Sequence, residues 1–158
     1  MPHFIYVLAL LFTPDGRQVV LMKKSRPAWQ SGRVNAPGGK VLPGETPTEA
    51  ARREVREEAG VDVIAWEEFL VWEDPIYHMH ALRAFDAAAE LAYTAEDQEV
   101  FLADVGHLPS GLIDNLRWLI PLAFDRDVAL PVRVTSANPE GSGLTEPPPA
   151  PTASRAGQ

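Results

Sequence analysis

The segment from Thr46 to Gly60 constrains the fold of this chain most, because it carries the signals of a helix with two defined ends. Thr46 is a typical N-cap, Pro47 suits the first helical position, and Glu49 stands where a capping box places its acid. Gly60 is of the residue type that most often ends a helix. The pattern predicts one helix with fixed limits, against which the rest of the chain must pack.

The other elements are predicted from apolar periodicity and from turn residues. Apolar residues recur at helical spacing over 110–124, which predicts a second helix. A turn at 13–16 separates the first two strand-like segments and predicts an early hairpin. Strands and helices follow each other without regular βαβ alternation, which predicts an α/β fold with a mixed sheet packed between helices. The strand-like segments are 3–12, 17–23, 34–42, 61–72, 76–85 and 100–103.

The composition of the chain changes near residue 138. With 158 residues, 46% hydrophobic and 23% charged, the chain as a whole has enough apolar material for one globular core. Beyond residue 138 it consists mostly of Pro, Gly, Ala, Ser and Thr, which cannot form such a core. We therefore expect one folded domain over residues 1–137 and a disordered tail over 138–158, whose prolines offer an accessory docking segment for a partner protein.

The net charge and the lack of cysteine exclude several kinds of protein. A formal charge of −8 is opposite to the basic surface of a protein that grips nucleic-acid polymers, so we expect a small-molecule partner. Without cysteine there is no disulfide, thiolate metal ligand or cysteine nucleophile. The apolar run at 5–12 is far shorter than the roughly 20 residues that span a bilayer. We expect a cytoplasmic protein without membrane association, as a monomer or a homodimer.

Glu54, Glu57 and Glu58 share one face of the predicted helix, because their spacings are three and four residues. Carboxylates packed together repel each other unless a cation neutralises them. Their oxygens suit Mg²⁺ or Mn²⁺, which can polarise a phosphoryl oxygen and activate water. Arg53 is placed to hold one of the acids through its forked guanidinium. Taken alone, such crowding of Glu and Arg on a helix is more typical of a solvated face than of a metal site.

The spacing of these residues resembles a known family signature. Gly39, five residues, Glu45, seven residues and then the run from Arg53 to Val61 match the box of the Nudix hydrolases at every specified position. The resemblance covers the box closely and residues 4–124 more loosely. It implies a Nudix α/β/α sandwich and the hydrolysis of a nucleoside diphosphate linked to a further group X.

The resemblance also implies a metal site. By this likeness Glu54, Glu57 and Glu58 are the metal-binding carboxylates, and Gly39 offers its backbone carbonyl to the ion. The implied cofactor is Mg²⁺, with Mn²⁺ as a possible substitute. Water then attacks one phosphorus of the diphosphate, and the cation offsets the charge that develops on the oxygens.

The resemblance assigns supporting roles less uniformly. Arg53 would orient the acids, and Glu45 would fix the geometry between the loop and the helix. The general base differs among family members, since some use the counterpart of Glu54 and others use an acid from a later loop. Here the late-loop candidates are Glu99, which we prefer because it stands just before a strand, and Glu96.

The segment leading into the box resembles Nudix enzymes that remove oxidised purine nucleotides from the triphosphate pool. In those relatives the counterpart of Asn35 meets the purine, and an Asn can pair a donor and an acceptor with a purine edge. A strand lysine such as Lys23 lies near the nucleotide in the same relatives. The side chains available for phosphates are Lys23, Lys24, Arg33 and Lys40.

Alternative substrates and a non-enzymatic role remain open at this point. Pro75 and Tyr77 fall close to the positions that mark Nudix hydrolases of ADP-ribose and of dinucleoside polyphosphates, respectively. Trp29 is placed either to stack on a base or to pack within its loop. A Nudix domain that senses a nucleotide without cleaving it is the remaining alternative, although such domains commonly lose box acids and this chain keeps them.

Overall fold

The computed structural model of the chain describes residues 4–137, and the predicted tail at 138–158 lies outside the described residues. The described elements are the strands β1 (Phe4–Phe12), β2 (Gln18–Lys23), β3 (Val34–Asn35), β4 (Gly38–Lys40), β5 (Glu67–Glu73), β6 (Tyr77–Phe85), β7 (Glu99–Asp104) and β8 (Val132–Thr135), the helices α1 (Pro47–Ala59) and α2 (Leu116–Leu122), and short 3-10 turns at Ala28–Gln30 and Ala87–Leu91.

Helix α1 has the ends that the sequence predicts. The Thr46 hydroxyl accepts from the backbone N–H of Glu49, and the Glu49 carboxylate accepts from the backbone N–H of Thr46, so the capping box is complete. Gly60 ends the helix in the left-handed region at φ 70°, which a residue with a Cβ adopts only at a cost. Its position along the chain is therefore fixed by local chemistry alone.

Strand β1 lies at the centre of a mixed sheet. All nine of its residues are in parallel register with β6, from Phe4 opposite Tyr77 to Phe12 opposite Phe85. The predicted hairpin with β2 exists, but the two strands pair in register only near the turn, where Phe12 lies opposite Val19. The earlier part of β1 pairs with β4 instead. The strand order β3-β2-β1-β6-β5-β8, with β4 on β1 and β7 on β2, completes the sheet.

The two faces of this sheet bury two separate cores. Alternation along β1 sends Leu8, Leu10 and Phe12 into the core that contains α2, and Val7, Ala9 and Leu11 into the core that contains α1. The α1 side is packed with small residues, which lets the helix lie close to the sheet: Ala50, Ala51, Val55 and Ala59. The α/β/α sandwich implied by the family resemblance is thereby confirmed.

Two predicted elements have different bounds in the structure. Residues 61–66 are not a strand, although Val61, Val63 and Trp66 are buried, because they line the α1 core as irregular chain. The Trp66 indole N–H donates to the carbonyl of Val63 at 2.8 Å, which satisfies it within the same segment. Helix α2 is regular only from Leu116, whereas the prediction began it at residue 110.

Within residues 4–137, no helix is long and apolar enough to cross a membrane.

Candidate active site

Glu54 and Glu58 are buried side chains of α1 that face strand β4. Both are almost fully inaccessible, at 0% and 1% exposure, which is rare for a carboxylate without a compensating partner. The backbone N–H of Gly38 donates to Glu58 Oε1 at 3.1 Å. A Cβ at Gly39 would lie 2.2 Å from Glu54 Oε1. The acids therefore sit where only a glycine backbone leaves room for them.

The pairing of β4 with β1 fixes the position of the Gly38–Gly39 main chain relative to the two acids. A Cβ at Gly38 would lie 2.2 Å from the carbonyl oxygen of Val7, so β4 can pair with β1 here only as glycine. Gly39 and Val7 are register partners in that pairing. The sheet thus holds the Gly38–Gly39 main chain directly over the carboxylates of the helix.

Arg53 connects the acids to the loop before the helix. Its guanidinium forms a forked pair with Glu45 at 2.7 and 3.1 Å and donates to Glu54 Oε1 at 2.7 Å. A further bond of 2.9 Å reaches the carbonyl of Lys40. Hydrogen bonding to Glu45 raises the pKa of Arg53, against the opposing effect of burial. The fork that the sequence led us to expect is therefore made with Glu45, which places this residue between loop and helix as expected.

Glu57 is the most exposed of the three acids on this face of α1. Its side chain is 30% exposed and is 3.4 Å from Arg53 Nη1. Among the described residues 4–137, no group of three acidic or histidine side chains is arranged closely enough to hold an ion by itself. Glu54 and Glu57 share Arg53 Nη1, at 2.7 and 3.4 Å, and Glu58 is buried beside Glu54. Mg²⁺ commonly binds through one or two carboxylates and completes its shell with water and substrate phosphates.

Burial dominates the electrostatics of the pair. Removal from water raises the pKa of Glu54 to about 7, against the lowering effect of Arg53. The same cause raises the pKa of Glu58 well above its ordinary value, and the charge of Glu54 adds to it. Two neighbouring carboxylates in this environment favour either a shared proton or a bound cation.

The residues present fit a hard divalent cation. Glu54 Oε2 is buried and accepts no hydrogen bond within the described part of the chain, and an unpaired buried acceptor is costly to leave without a partner. Carboxylate and carbonyl oxygens are the donor types that Mg²⁺ and Mn²⁺ prefer. The site thus offers a ligand oxygen that the protein itself leaves unused.

Lys24 is a buried cation beside these acids. It is 2% exposed, and its ammonium group makes no hydrogen bond or ion pair with residues 4–137. Burial lowers its pKa, and the charge of Glu58 opposes that shift. The sequence suggested Lys24 only as one of several cations for phosphate, because its burial depends on how the end of β2 packs. Besides Arg53, it is a second cation that the structure places beside Glu54 and Glu58.

The other predicted substrate residues lie around the end of β2. Asn35 is buried, with Oδ1 accepting from the N–H of Ala36 at 2.8 Å and Nδ2 donating to Gln30 at 3.3 Å. Arg33 is bound to Asp114 at 3.1 Å, which ties β3 to the residues before α2. Asn35 keeps one further donor and one further acceptor position for a ligand.

Lys23 and Lys40 are exposed at strand ends. Lys23 lies opposite Glu99 in the β2–β7 pairing, but the two side chains form no ion pair among the described residues. The Lys40 ammonium lies 4.8 Å from the centre of the Phe4 ring. No hydrogen bond joins Glu99 or Glu96 to Glu54 or Glu58 among the described residues.

Comparison with known proteins gives matches of three kinds. A family model described as NUDIX domain matches residues 2–127. Nudix hydrolase 3 of Caenorhabditis elegans is 50% identical over 58 residues, which are 35% of this chain and 24% of that protein. This chain thus matches about a quarter of that relative's length.

Solved structures share the architecture. The MutT NUDIX hydrolase of Burkholderia pseudomallei superposes with a TM-score of 0.64 at 23% identity, over 77% of this chain and 98% of that one. The NUDIX domain of Shewanella oneidensis NrtR, solved with ADP-ribose, superposes with a TM-score of 0.66 at 18% identity, over 78% and 87% of the two chains. At such identities the likeness shows the fold.

Proposed function

The chain belongs to the Nudix family, and from this premise we propose that it hydrolyses a nucleoside triphosphate to the monophosphate and pyrophosphate. The preferred substrates are (d)NTPs, including those with an oxidised purine. The observation that carries the proposal is the buried pair Glu54 and Glu58, with one carboxylate oxygen left without a partner beneath a glycine backbone.

The proposed cofactor is Mg²⁺, for which Mn²⁺ can substitute. Glu54, Glu57, Glu58 and the carbonyl of Gly39 would hold it, and Arg53 fixes the Glu54 carboxylate through its bond of 2.7 Å. When bound, the cation supplies Lewis-acid polarisation of the phosphoryl oxygens and offsets the charge on the leaving pyrophosphate. The protein contributes the fixed positions of these oxygens, since both buried acids are held by α1 and β4.

The reaction replaces one phosphorus–oxygen bond with another. The oxygen of a water molecule bonds to phosphorus, the bridging oxygen leaves with the pyrophosphate, and a base accepts the proton from water. Lys24, with Lys23, Arg33 and Lys40 at the rim, supplies positive charge for the phosphates. Asn35 keeps a donor and an acceptor position for the purine.

Glu99 remains our candidate for that base, as an exposed residue at the start of β7. We expect Glu99→Gln to lower kcat by well over tenfold, because glutamine cannot accept the proton. Glu96→Gln tests the other late-loop candidate and, if Glu99 is the base, should stay within about twofold of the parent. Steady-state rates at fixed Mg²⁺ test this, and normal turnover in Glu99→Gln would assign the base to another residue.

A substrate panel tests the function. Nucleoside triphosphates, oxidised purine triphosphates, ADP-ribose and dinucleoside polyphosphates are compared by kcat/KM at fixed Mg²⁺. We expect pyrophosphate from a triphosphate, and no product when a chelator is present. Release of orthophosphate alone would contradict the chemistry, and a clear preference for ADP-ribose or dinucleoside polyphosphates would select those substrates instead. Tight binding without turnover would favour a nucleotide sensor.

A cytoplasmic location and a monomeric or homodimeric state stay predictions.

A further inference from the structure

Residues 93–98, here called the bridging segment, are hydrogen-bonded to the C-terminal end of α1. The backbone N–H of Ala95 donates to the carbonyl of Glu58 at 3.2 Å, and that of Tyr93 donates to Ala59 at 3.1 Å. The ring of Tyr93 lies over Gly60, where a Cβ would approach it to 2.2 Å. The segment therefore starts directly on the residue that carries a buried carboxylate.

The other end of the bridging segment is bonded to the chain that leaves β2. Gln98 is 3% exposed, and its Oε1 accepts from the backbone N–H of Ser25 at 3.2 Å. Asp97 forms a forked pair with Arg26 at 2.5 and 3.1 Å. Asp97 and Gln98 thus bind Arg26 and Ser25, respectively, in the loop that follows β2.

Lys24 immediately precedes these two held residues. Its backbone also bonds to the far end of the same loop, since its N–H donates to Arg33 and its carbonyl accepts from Gly32, each at 2.8 Å. A buried lysine with four side-chain torsions and no partner within residues 4–137 is placed by its backbone rather than by an ion pair. The contacts of Ser25 and Arg26 join that backbone to α1 through the bridging segment.

We propose that Asp97 and Gln98 are positioning residues, which hold Lys24 beside Glu54 and Glu58 so that its ammonium meets the phosphate chain of the substrate. The inference rests on the proposed function, since it needs a phosphate-bearing substrate at the buried acids. Hydrogen bonds run from the Glu58 carbonyl through the bridging segment to the backbone of Ser25. The bridging segment therefore holds both the helix that carries the acids and the residue that follows Lys24.

A purely structural role predicts something different. The Arg26–Asp97 pair is about half exposed on both sides, and such pairs add little to stability. Arg52 and Asp62 form an equally forked pair of similar exposure at 2.7 and 2.8 Å, and among the described residues neither side chain is hydrogen-bonded to residues 24–33. Loss of either pair should therefore cost similar stability, whereas only loss of the first should disturb turnover.

The test is a double-mutant cycle between Gln98 and Lys24. Gln98→Met keeps the side-chain length and removes the acceptor, and we expect kcat/KM for a triphosphate to fall by about tenfold. Gln98→Glu keeps the acceptor and should restore the rate to within about twofold, because the Gln98 amide nitrogen donates to nothing in the described region. In a Lys24→Met background, Gln98→Met should have no further effect.

Amide exchange of residues 24–33 in the substrate-free protein gives a second readout. We expect faster exchange in Gln98→Met and Asp97→Ala, and parental exchange in Gln98→Glu and the control Asp62→Ala. An equal loss of rate from Gln98→Met in both backgrounds would overturn the positioning role while the proposed function stood. Absence of turnover in the parent on every nucleotide would instead overturn the proposed function, and this inference with it.

Discussion

Glutamine at both positions 57 and 58 is expected to lower kcat by about a thousandfold, because it removes two of the proposed cation ligands at once. The amide keeps the shape of each side chain, and its oxygen can still accept the 3.1 Å bond from Gly38 to residue 58. The fold should therefore survive. Steady-state rates at saturating substrate measure the loss, and Mn²⁺ titration followed by electron paramagnetic resonance measures the accompanying loss of ion affinity.

Glu90→Gln is the control for this double variant, because Glu90 is an exposed acid of the 3-10 turn at Ala87–Leu91, outside the proposed site. It should keep the parental rate and ion affinity. Thermal unfolding of Glu57→Gln/Glu58→Gln without metal should occur at or above the parental temperature, since a buried acid with a raised pKa is replaced by a neutral group. Unchanged rate and unchanged ion affinity in the double variant would contradict the proposal that this face of α1 binds a metal ion.

The second large effect concerns the metal-free protein, which should lose stability as pH rises from about 5 to 8. Burial disfavours the charge of Glu54 and raises its pKa to about 7 in the fold, well above the ordinary value of a glutamate. A group with a raised folded pKa stabilises fully below the unfolded pKa, and this stability is lost as pH rises through the folded pKa. The shift corresponds to on the order of 3 kcal/mol, or roughly 5 to 10 °C in Tm for a chain of this size.

Thermal unfolding in chelator at several pH values between 5 and 8 tests this, and added Mg²⁺ should flatten the decline by binding the ionised pair. The acids whose pKa is lowered in the fold, Asp15, Glu45 and Asp62, titrate below this range and do not reverse the trend. Glu54→Gln should decline less than the parent in chelator. A Tm that rises from pH 5.5 to 8 without metal would show that the pair is not buried as described.

The part of the site that sequence predicted is the part set by local chemistry. The N-cap at Thr46, the stop at Gly60 and the shared face of Glu54 and Glu58 all follow from residues within one helix. Arg53 was expected to hold an acid, but the choice of Glu45 for its fork depends on how the preceding loop folds back. Spacing along a helix predicts which side chains share a face, whereas their burial depends on which other elements pack against that face.

The parts that sequence missed all involve partners distant in the chain. Residues 61–66 are as apolar as a strand, yet no strand within residues 4–137 pairs with them, so their apolar side chains are buried without the hydrogen bonds of a sheet. Strand β8 pairs with β5, with Val132 opposite Leu70, and no pattern in the sequence around residues 132–135 predicted this strand. Lys24 looked like any lysine at a strand end, because nothing within a few residues shows that it is covered.

The parallel pairing of β1 with β6 has a consequence for how the protein is assembled. Everything between these strands, including β4 and α1, belongs to the crossover that joins them. A parallel pair cannot close before its connection is in place, and closing a long connection carries an entropic cost that later contacts must offset. The helix that carries the acids is thus part of the connection that the central parallel pair encloses, and we expect the docking of α1 to be coupled to the pairing of β1 with β6.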